Sequence, residues 1–215
     1  MDITWLCNST FLIKNSIGKR ILIDPLNRLF SHNIDIIKPN IMTLSTFSSD
    51  SFSLPEVDSS TTLITSSGHF NTDFCKITGY DTFCDHFNGA KRGGNIIYVY
   101  EVDNLRICHL GCLGEVLSDD LIKKLGIIDI LFIPVGGHIS LTGIEAFKLC
   151  KKLNPNIIIP MNYKYSSSSF MFNGIQDFLL LLKNSCKITT DSYSISKDTL
   201  VSNGAAIILK PMMLA

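Results

Sequence analysis

Two stretches of the chain leave water no face to occupy. "IDILFIPVGG" (128–137) and "NIIIPMN" (156–162) are apolar at nearly every position instead of every second one. A strand covered on both sides reads this way, whereas a strand with one wet face alternates. Between them lies "LTGIEAFKLCKKLNP". Its Thr142-x-x-Glu145 pair forms a capping box, Ile144, Phe147, Cys150 and Leu153 are expected to face inward, and Asn154-Pro155 stops the helix. Strands of this kind require a packed layer on each side.

The first half supplies material for such layers. "STFLIKN" (9–15) and "KRILIDP" (19–25) flank a Ser-Ile-Gly turn and read as a hairpin. Short strand-like runs follow at "NIMTLS", "TTLITSS" and "CKITGY". "NIIYVYEVDNLRICHLG" predicts a second hairpin, Ile96–Glu101 and Leu105–His109, turning at Asp103-Asn104. "SDDLIKKLG" (118–126) has a Ser118 cap, early acids, late lysines and a terminal glycine, so it predicts a short helix. A helix over about 174–184 and strands near 194–196 and 205–210 close the chain. This order predicts an α+β fold of two packed sheets with helices outside. No internal repeat or linker divides residues 1–215, which are expected to form a single domain; "YSSSSF" (165–170) reads as a surface loop.

Composition narrows the partners. Nineteen basic residues balance nineteen acidic ones, which gives no electrostatic footprint for nucleic acid or anionic lipid. The seven cysteines are odd in number and lack any CxxC pair, so reduced thiols in a cytoplasmic protein are expected. The N-terminal segment has no basic n-region and does not read as a signal peptide, and "FLLLLK" (178–183) is too short to span a bilayer. A small molecule or a protein remains as the expected partner, and the apolar content (46%) permits a homo-oligomer.

"ITWLCNSTFLI", "KRILIDP", "GAKRGGNIIYVYE", "ICHLGCLG" and "IDILFIPVGGH…IPMNYK" occur in the order seen in metallo-β-lactamase-fold hydrolases. From Ile3 to about Lys210 the chain resembles the small bacterial and archaeal branch that includes ascorbate-6-phosphate lactonase. The resemblance implies an αββα sandwich whose site lies along one sheet edge and holds two Zn²⁺ or Mn²⁺ ions. Histidine and carboxylate ligands at about 2.0–2.2 Å would fix a bridging hydroxide there.

The family's ligand positions carry other residues here. Its Thr-His-x-His-x-Asp-His motif aligns with Ser45-Thr46-Phe47-Ser48-Ser49-Asp50-Ser51, so of the four metal-binding groups only Asp50 remains. The next histidine falls on Cys84, the bridging aspartate on Cys112 of His109-Leu110-Gly111-Cys112, and the last histidine on Asn162. Near the N-terminus Gly-His-Ser becomes Cys7-Asn8-Ser9. Neutral hydroxyls and amides are poor ligands for a dication. The expectation is therefore a dismantled site: Thr46, Ser48, Asp50, Ser51, Cys84, Cys112 and Asn162 lining a vestigial cleft, no metal cofactor, and a non-catalytic role in ligand binding, scaffolding or assembly. The alternative is a metal-dependent hydrolase of a small phosphorylated or lactone substrate. It would use one Zn or Mn held by Asp50, Cys112 and either Cys84 or His86, resembling the Asp–Cys–His site of class B β-lactamases. Plainer roles compete: Asp50 as a turn cap, Cys84 and Cys112 as small buried residues, His109 as a structural hydrogen-bonding group, Lys91-Arg92 as exposed charge. A local Cys84-Asp85-His86 nucleophile is disfavoured because neighbours on a strand point to opposite faces.

Overall fold

The computed structural model describes residues 1–25, 37–46, 58–166, 172–182, 185–187, 190–201 and 204–212. Five strands open the chain: β1 (Asp2–Cys7), β2 (Thr10–Lys14), β3 (Arg20–Ile23), β4 (Ile41–Thr43) and β5 (Thr62–Ile64). Four follow as a meander: β6 (Gly68–Asn71), β7 (Lys76–Phe83), β8 (Gly94–Val102) and β9 (Leu105–His109). Then α1 (Asp119–Leu125), β10 (Ile130–Pro134), α2 (Gly143–Leu153), β11 (Ile157–Met161) and α3 (Gln176–Leu179) alternate. Strands β12 (Ser185–Lys187), β13 (Ser192–Ser194) and β14 (Ala205–Ile208) complete the described elements.

These strands build a six-stranded sheet, ordered β13-β1-β2-β3-β4-β5, and an eight-stranded sheet, ordered β12-β14-β11-β10-β9-β8-β7-β6. Trp5, Phe11, Ile13, Ile21 and Ile23 of the first sheet join Tyr98, Tyr100, Ile107 and Phe132 of the second in one buried core. The Phe11 and Phe132 rings stack across the interface with centroids 4.2 Å apart. The alternate residues Leu6, Leu22 and Met42 form a smaller cluster on the other face of the first sheet, as a strand period of two demands. The fold is the expected α+β sandwich of αββα type.

Local chemistry agrees with most of the expected elements. Ser118 accepts the Leu121 N–H at the start of α1, and the Thr142–Glu145 capping box is complete. The β8–β9 turn sits on Asp103 and Asn104, both with left-handed φ (51° and 61°), as a tight two-residue hairpin requires. Strand β10 is buried at all five positions and pairs in parallel with both β9 and β11.

Two expectations need correction. The inward face of α2 is Gly143, Ala146, Leu149, Cys150 and Leu153; Ile144 is 52% exposed. Gly143 lies against the α3 backbone so closely that a Cβ there would come within 2.7 Å of the Phe178 nitrogen. That contact rotates the next residue, Ile144, outward. The helix expected over 174–184 is also short. After Leu179 the chain tightens into three-residue turns, with Leu181 N–H donating to Phe178 and Leu182 N–H to Leu179.

Candidate active-site edge

Strands β1, β3 and β4 run in one direction within their sheet, and so do β7, β9, β10 and β11 within theirs. Hydrogen bonds from Asn162 N–H to the Asn8 carbonyl (3.3 Å) and from Ile96 N–H, near the start of β8, to the Ser45 carbonyl (2.7 Å) join the two sheets along one edge. Several exit residues take left-handed backbone: Asn8 (φ 44°), Asp24 (48°), Gly111 (60°), His138 (54°) and Asn162 (51°). Such residues let a strand stop and its chain turn sharply across the edge; asparagine, aspartate and histidine tolerate this conformation better than other side chains.

Beneath the edge lies a closed polar network. Asp24, 7% exposed, accepts hydrogen bonds from the Ser45 N–H (2.6 Å) and Ser45 Oγ (2.5 Å), while its own carbonyl accepts from Thr10 Oγ1 (2.6 Å). Asn95 is oriented from three sides. Its Nδ2 donates to Thr82 Oγ1 (2.8 Å) and the Leu110 carbonyl (3.0 Å), and its Oδ1 accepts the Cys112 N–H (2.8 Å). His109 is fully buried. Its Nδ1 lies 3.2 Å from the Gly111 N–H and accepts it, so the proton sits on Nε2 and donates to the Ser9 carbonyl at 2.9 Å. Asp24 Oδ2 approaches that same Nδ1 at 4.0 Å, but a ring in this tautomer is neutral. Burial lowers the His109 pKa, against the opposing pull of the Asp24 charge and the Ser9 carbonyl. His109 is thus the structural group expected from its place in the sequence. Asp24, Ser45 and Asn95 were not among the candidate residues; Asp24 at a strand end before Pro25 was the available signal.

Of the expected cleft residues, the structure brings Cys84 and Cys112 together. Each thiol perturbs the proton affinity of the other. Cys84 Sγ also lies 3.3 Å from the Gly94 carbonyl, and Cys112 Sγ lies 3.6 Å from that of Ile139. The turn after Cys112 presses on Cys84: a Cβ at Gly114 would fall 2.1 Å from the Cys84 oxygen. The Cys112 side chain lowers the Cys84 pKa against burial and the Asp85 and Asp24 charges. The Cys84 side chain and burial together push the Cys112 thiol well above the ordinary cysteine range. Two sulfurs in one pocket therefore hold their protons unequally.

Two more expected cleft residues are described on this edge, and three lie outside the described residues. Thr46 follows Ser45 and is half-buried; Asn162 is 2% exposed at the β11 exit. Ser48, Asp50 and Ser51 lie outside the described residues. His86 is exposed and points to Glu145 on α2, with Nε2 3.3 Å from its carboxylate. Asp85 accepts four backbone N–H groups, from Phe87, Gly89, Lys91 and Arg92, and so shapes its own loop. Lys91 and Arg92 are exposed, and the Lys91 ammonium lies 3.7 Å from the centroid of the Phe87 ring.

A sandwich with its polar groups gathered at one edge defines a metallo-β-lactamase-like protein, and sequence comparison agrees. The profile of the family described as "Beta-lactamase superfamily domain" matches residues 2–162, and the chain belongs to that family. It is 31% identical over 105 residues to a metal-dependent hydrolase from Thermococcus onnurineus, covering 48% of this chain and 47% of that protein. Against a metal-dependent hydrolase from Pelotomaculum thermopropionicum it is 23% identical, covering 76% and 84%. The match thus spans about half the length of the first relative and most of the second. A crystal structure from Thermotoga maritima, assigned as a Zn-dependent hydrolase of the metallo-β-lactamase superfamily, superposes with a TM-score of 0.77 at 26% identity. That match covers 98% of this chain and all of the other. These relatives overturn the expectation of a non-catalytic protein without a metal cofactor: the proteins this chain is similar to are metal-dependent hydrolases by name. Histidines absent from the aligned positions bear on ligand identity and do not by themselves exclude hydrolysis.

The described residues can be tested for fit to a metal. A catalytic zinc takes about three protein ligands. The edge offers the two sulfurs of Cys84 and Cys112, while both Asp24 oxygens are committed to Ser45. No group of three or more His, Cys, Asp or Glu side chains among the described residues is placed to hold a metal. The described residues alone do not fit a dication. No helix among the described residues is long and apolar enough to cross a membrane.

Proposed function

We propose that the protein is a hydrolase of the metal-dependent class to which its relatives belong, acting at the strand-exit edge on a small phosphorylated or lactone substrate. The observation that carries this reading is the Cys84–Cys112 pair. These residues, aligned with a ligand histidine and the bridging aspartate of the family, lie on neighbouring turns of this edge, Cys84 beside Gly94 and Gly114, and Cys112 on Asn95. The remaining described residues serve positioning. Asn95 holds the Cys112 backbone, Asp24 holds Ser45, and His109 holds the turn through Gly111. Networks this fully partnered keep a site rigid, which is what a hydrolytic centre needs from its supporting groups. A cytoplasmic setting belongs to the same reading, supported by six free cysteines among the described residues.

The test is hydrolysis of phosphodiester, phosphomonoester and lactone panels by the full chain in chelator, in Zn²⁺ and in Mn²⁺. The expected result is turnover above the protein-free rate with one substrate class, falling at least tenfold in Cys84→Ala and in Cys112→Ala. Background rates under every condition, or turnover that survives both substitutions, would overturn the proposal.

A further inference from the structure

The loop between β10 and α2 carries an imidazole that the hydrolytic reading leaves unused. A Cβ at Gly136 would fall 2.1 Å from the Asn162 carbonyl oxygen, the Ile139 carbonyl lies 3.6 Å from Cys112 Sγ, and the Leu141 N–H donates to the Leu113 carbonyl at 2.9 Å. The loop therefore lies between the β11 exit at Asn162 and the β9 exit at Cys112. His138 stands on it, exposed and with a left-handed φ of 54°. Glycine would take that conformation without penalty, so the chain keeps an imidazole there against its backbone preference.

The ring is held by a partner. His138 Nε2 lies 3.2 Å from Asn173 Oδ1, an acceptor, so the ring donates through Nε2 and, when neutral, carries its lone pair on Nδ1. Asn173 is fixed in turn: its N–H donates to the Gly136 carbonyl (2.7 Å), and its own carbonyl accepts the Lys164 N–H (2.8 Å). Nδ1 has no hydrogen-bond partner among the described residues. By contrast, both Asp24 oxygens hold Ser45, Asp85 accepts four backbone N–H groups, His109 is enclosed with both ring nitrogens bonded, and His86 faces Glu145. An imidazole oriented by a third group, with one nitrogen open, is the arrangement that proton transfer requires.

We propose, resting on the hydrolytic reading above, that His138 is the proton-transfer residue of the site and Asn173 its positioning residue. Nδ1 takes a proton from the attacking water as the water oxygen bonds to the phosphorus or the lactone carbonyl carbon. The bond from that atom to the leaving oxygen then breaks, and the leaving oxygen takes the proton from Nδ1. One water is consumed, and the ring ends neutral with its lone pair restored.

The test compares the wild type with His138→Gly, which accepts the left-handed backbone and leaves room for added imidazole, on the substrate class that the wild type turns over. The expected result is a kcat lower by about a hundredfold or more, a KM within about threefold, and partial recovery in imidazole that the wild type does not show. A variant kcat within about threefold of an active wild type, or a loss that imidazole does not reverse, would overturn this proposal and leave the hydrolytic reading standing. A wild type at background overturns both. A second measurement needs no turnover. Long-range ¹H–¹⁵N NMR of the full chain should show neutral His138 protonated on Nε2, a preference that weakens in Asn173→Ala. Protonation on Nδ1 in the wild type sinks the proposal by itself.

Discussion

At the exit edge of the strands, Asp24, Asn95 and His109 are between 0% and 7% exposed, and each is fixed by hydrogen bonds from or to neighbouring elements. At the opposite edge, Asp73, Lys76, Glu101 and Arg106 line an open groove of about 480 Å³ between hairpins. Its ion pairs are solvated: Lys19 and Asp73 stand 3.8 Å apart with side chains 39% and 72% exposed, and Arg106 meets a Glu101 that is 46% exposed. The two edges carry similar residue types under different dielectrics. Where water is excluded, each polar group must be met by a partner, and the partner network dictates backbone position. Where water is present, charges are interchangeable and hold little.

The largest predicted effect is at Gly111. Its φ of 60° is left-handed, and a Cβ would come within 2.3 Å of Asn95 Oδ1 and 2.6 Å of Ser45 Oγ. Gly111→Ala is expected to cost about 3 kcal/mol or more in denaturant unfolding, from backbone strain added to displacement of buried partners. A loss under about 1 kcal/mol would show that the edge network yields more readily than its closure suggests. The second prediction uses pH. Folding depresses the His109 pKa below its ordinary 6.5, so the unfolded chain binds this proton more readily than the folded one. Its contribution is present above about pH 6.5 and is lost as pH falls through and below that value, with a slope of at most about 1.4 kcal/mol per pH unit. His109→Gln, whatever its own cost, should flatten the wild-type slope between pH 7 and 5; an unchanged slope would assign the titration elsewhere. The smallest effect belongs to the opposite edge. Glu101→Ala removes one exposed partner of Arg106, whose Nε and Nη2 remain bonded to the Leu125 carbonyl at 3.3 and 3.1 Å. Thermal unfolding should report less than about 1 kcal/mol.

Much of the framework was legible because its signals are local. The Asp103-Asn104 hairpin, the Ser118 cap and the Thr142–Glu145 box each act within a few residues, and each formed as expected. The facing of Ile144 was not legible, because it depends on Gly143 meeting Phe178 across the α2–α3 contact, thirty-five positions away in sequence. The candidate site divides the same way. Family alignment pointed to Cys84 and Cys112, yet their meeting depends on the β7 and β9 exits coming together across the intervening β8. Asn95 stayed hidden inside "GGNIIYVY", where an asparagine at a strand start reads as ordinary punctuation. Its three hydrogen bonds reach Thr82, Leu110 and Cys112, none of them adjacent in the chain.

The parallel exits have an evolutionary consequence. Because Asp24, Ser45, Cys84 and Cys112 sit just past the last residue of a strand, the loops that carry them can change length or composition while the paired registers beneath stay intact. A lineage can then exchange nitrogen donors for sulfur, or one recognition surface for another, by rewriting a few residues at the rim. The sandwich works as a socket that outlasts whatever is plugged into it.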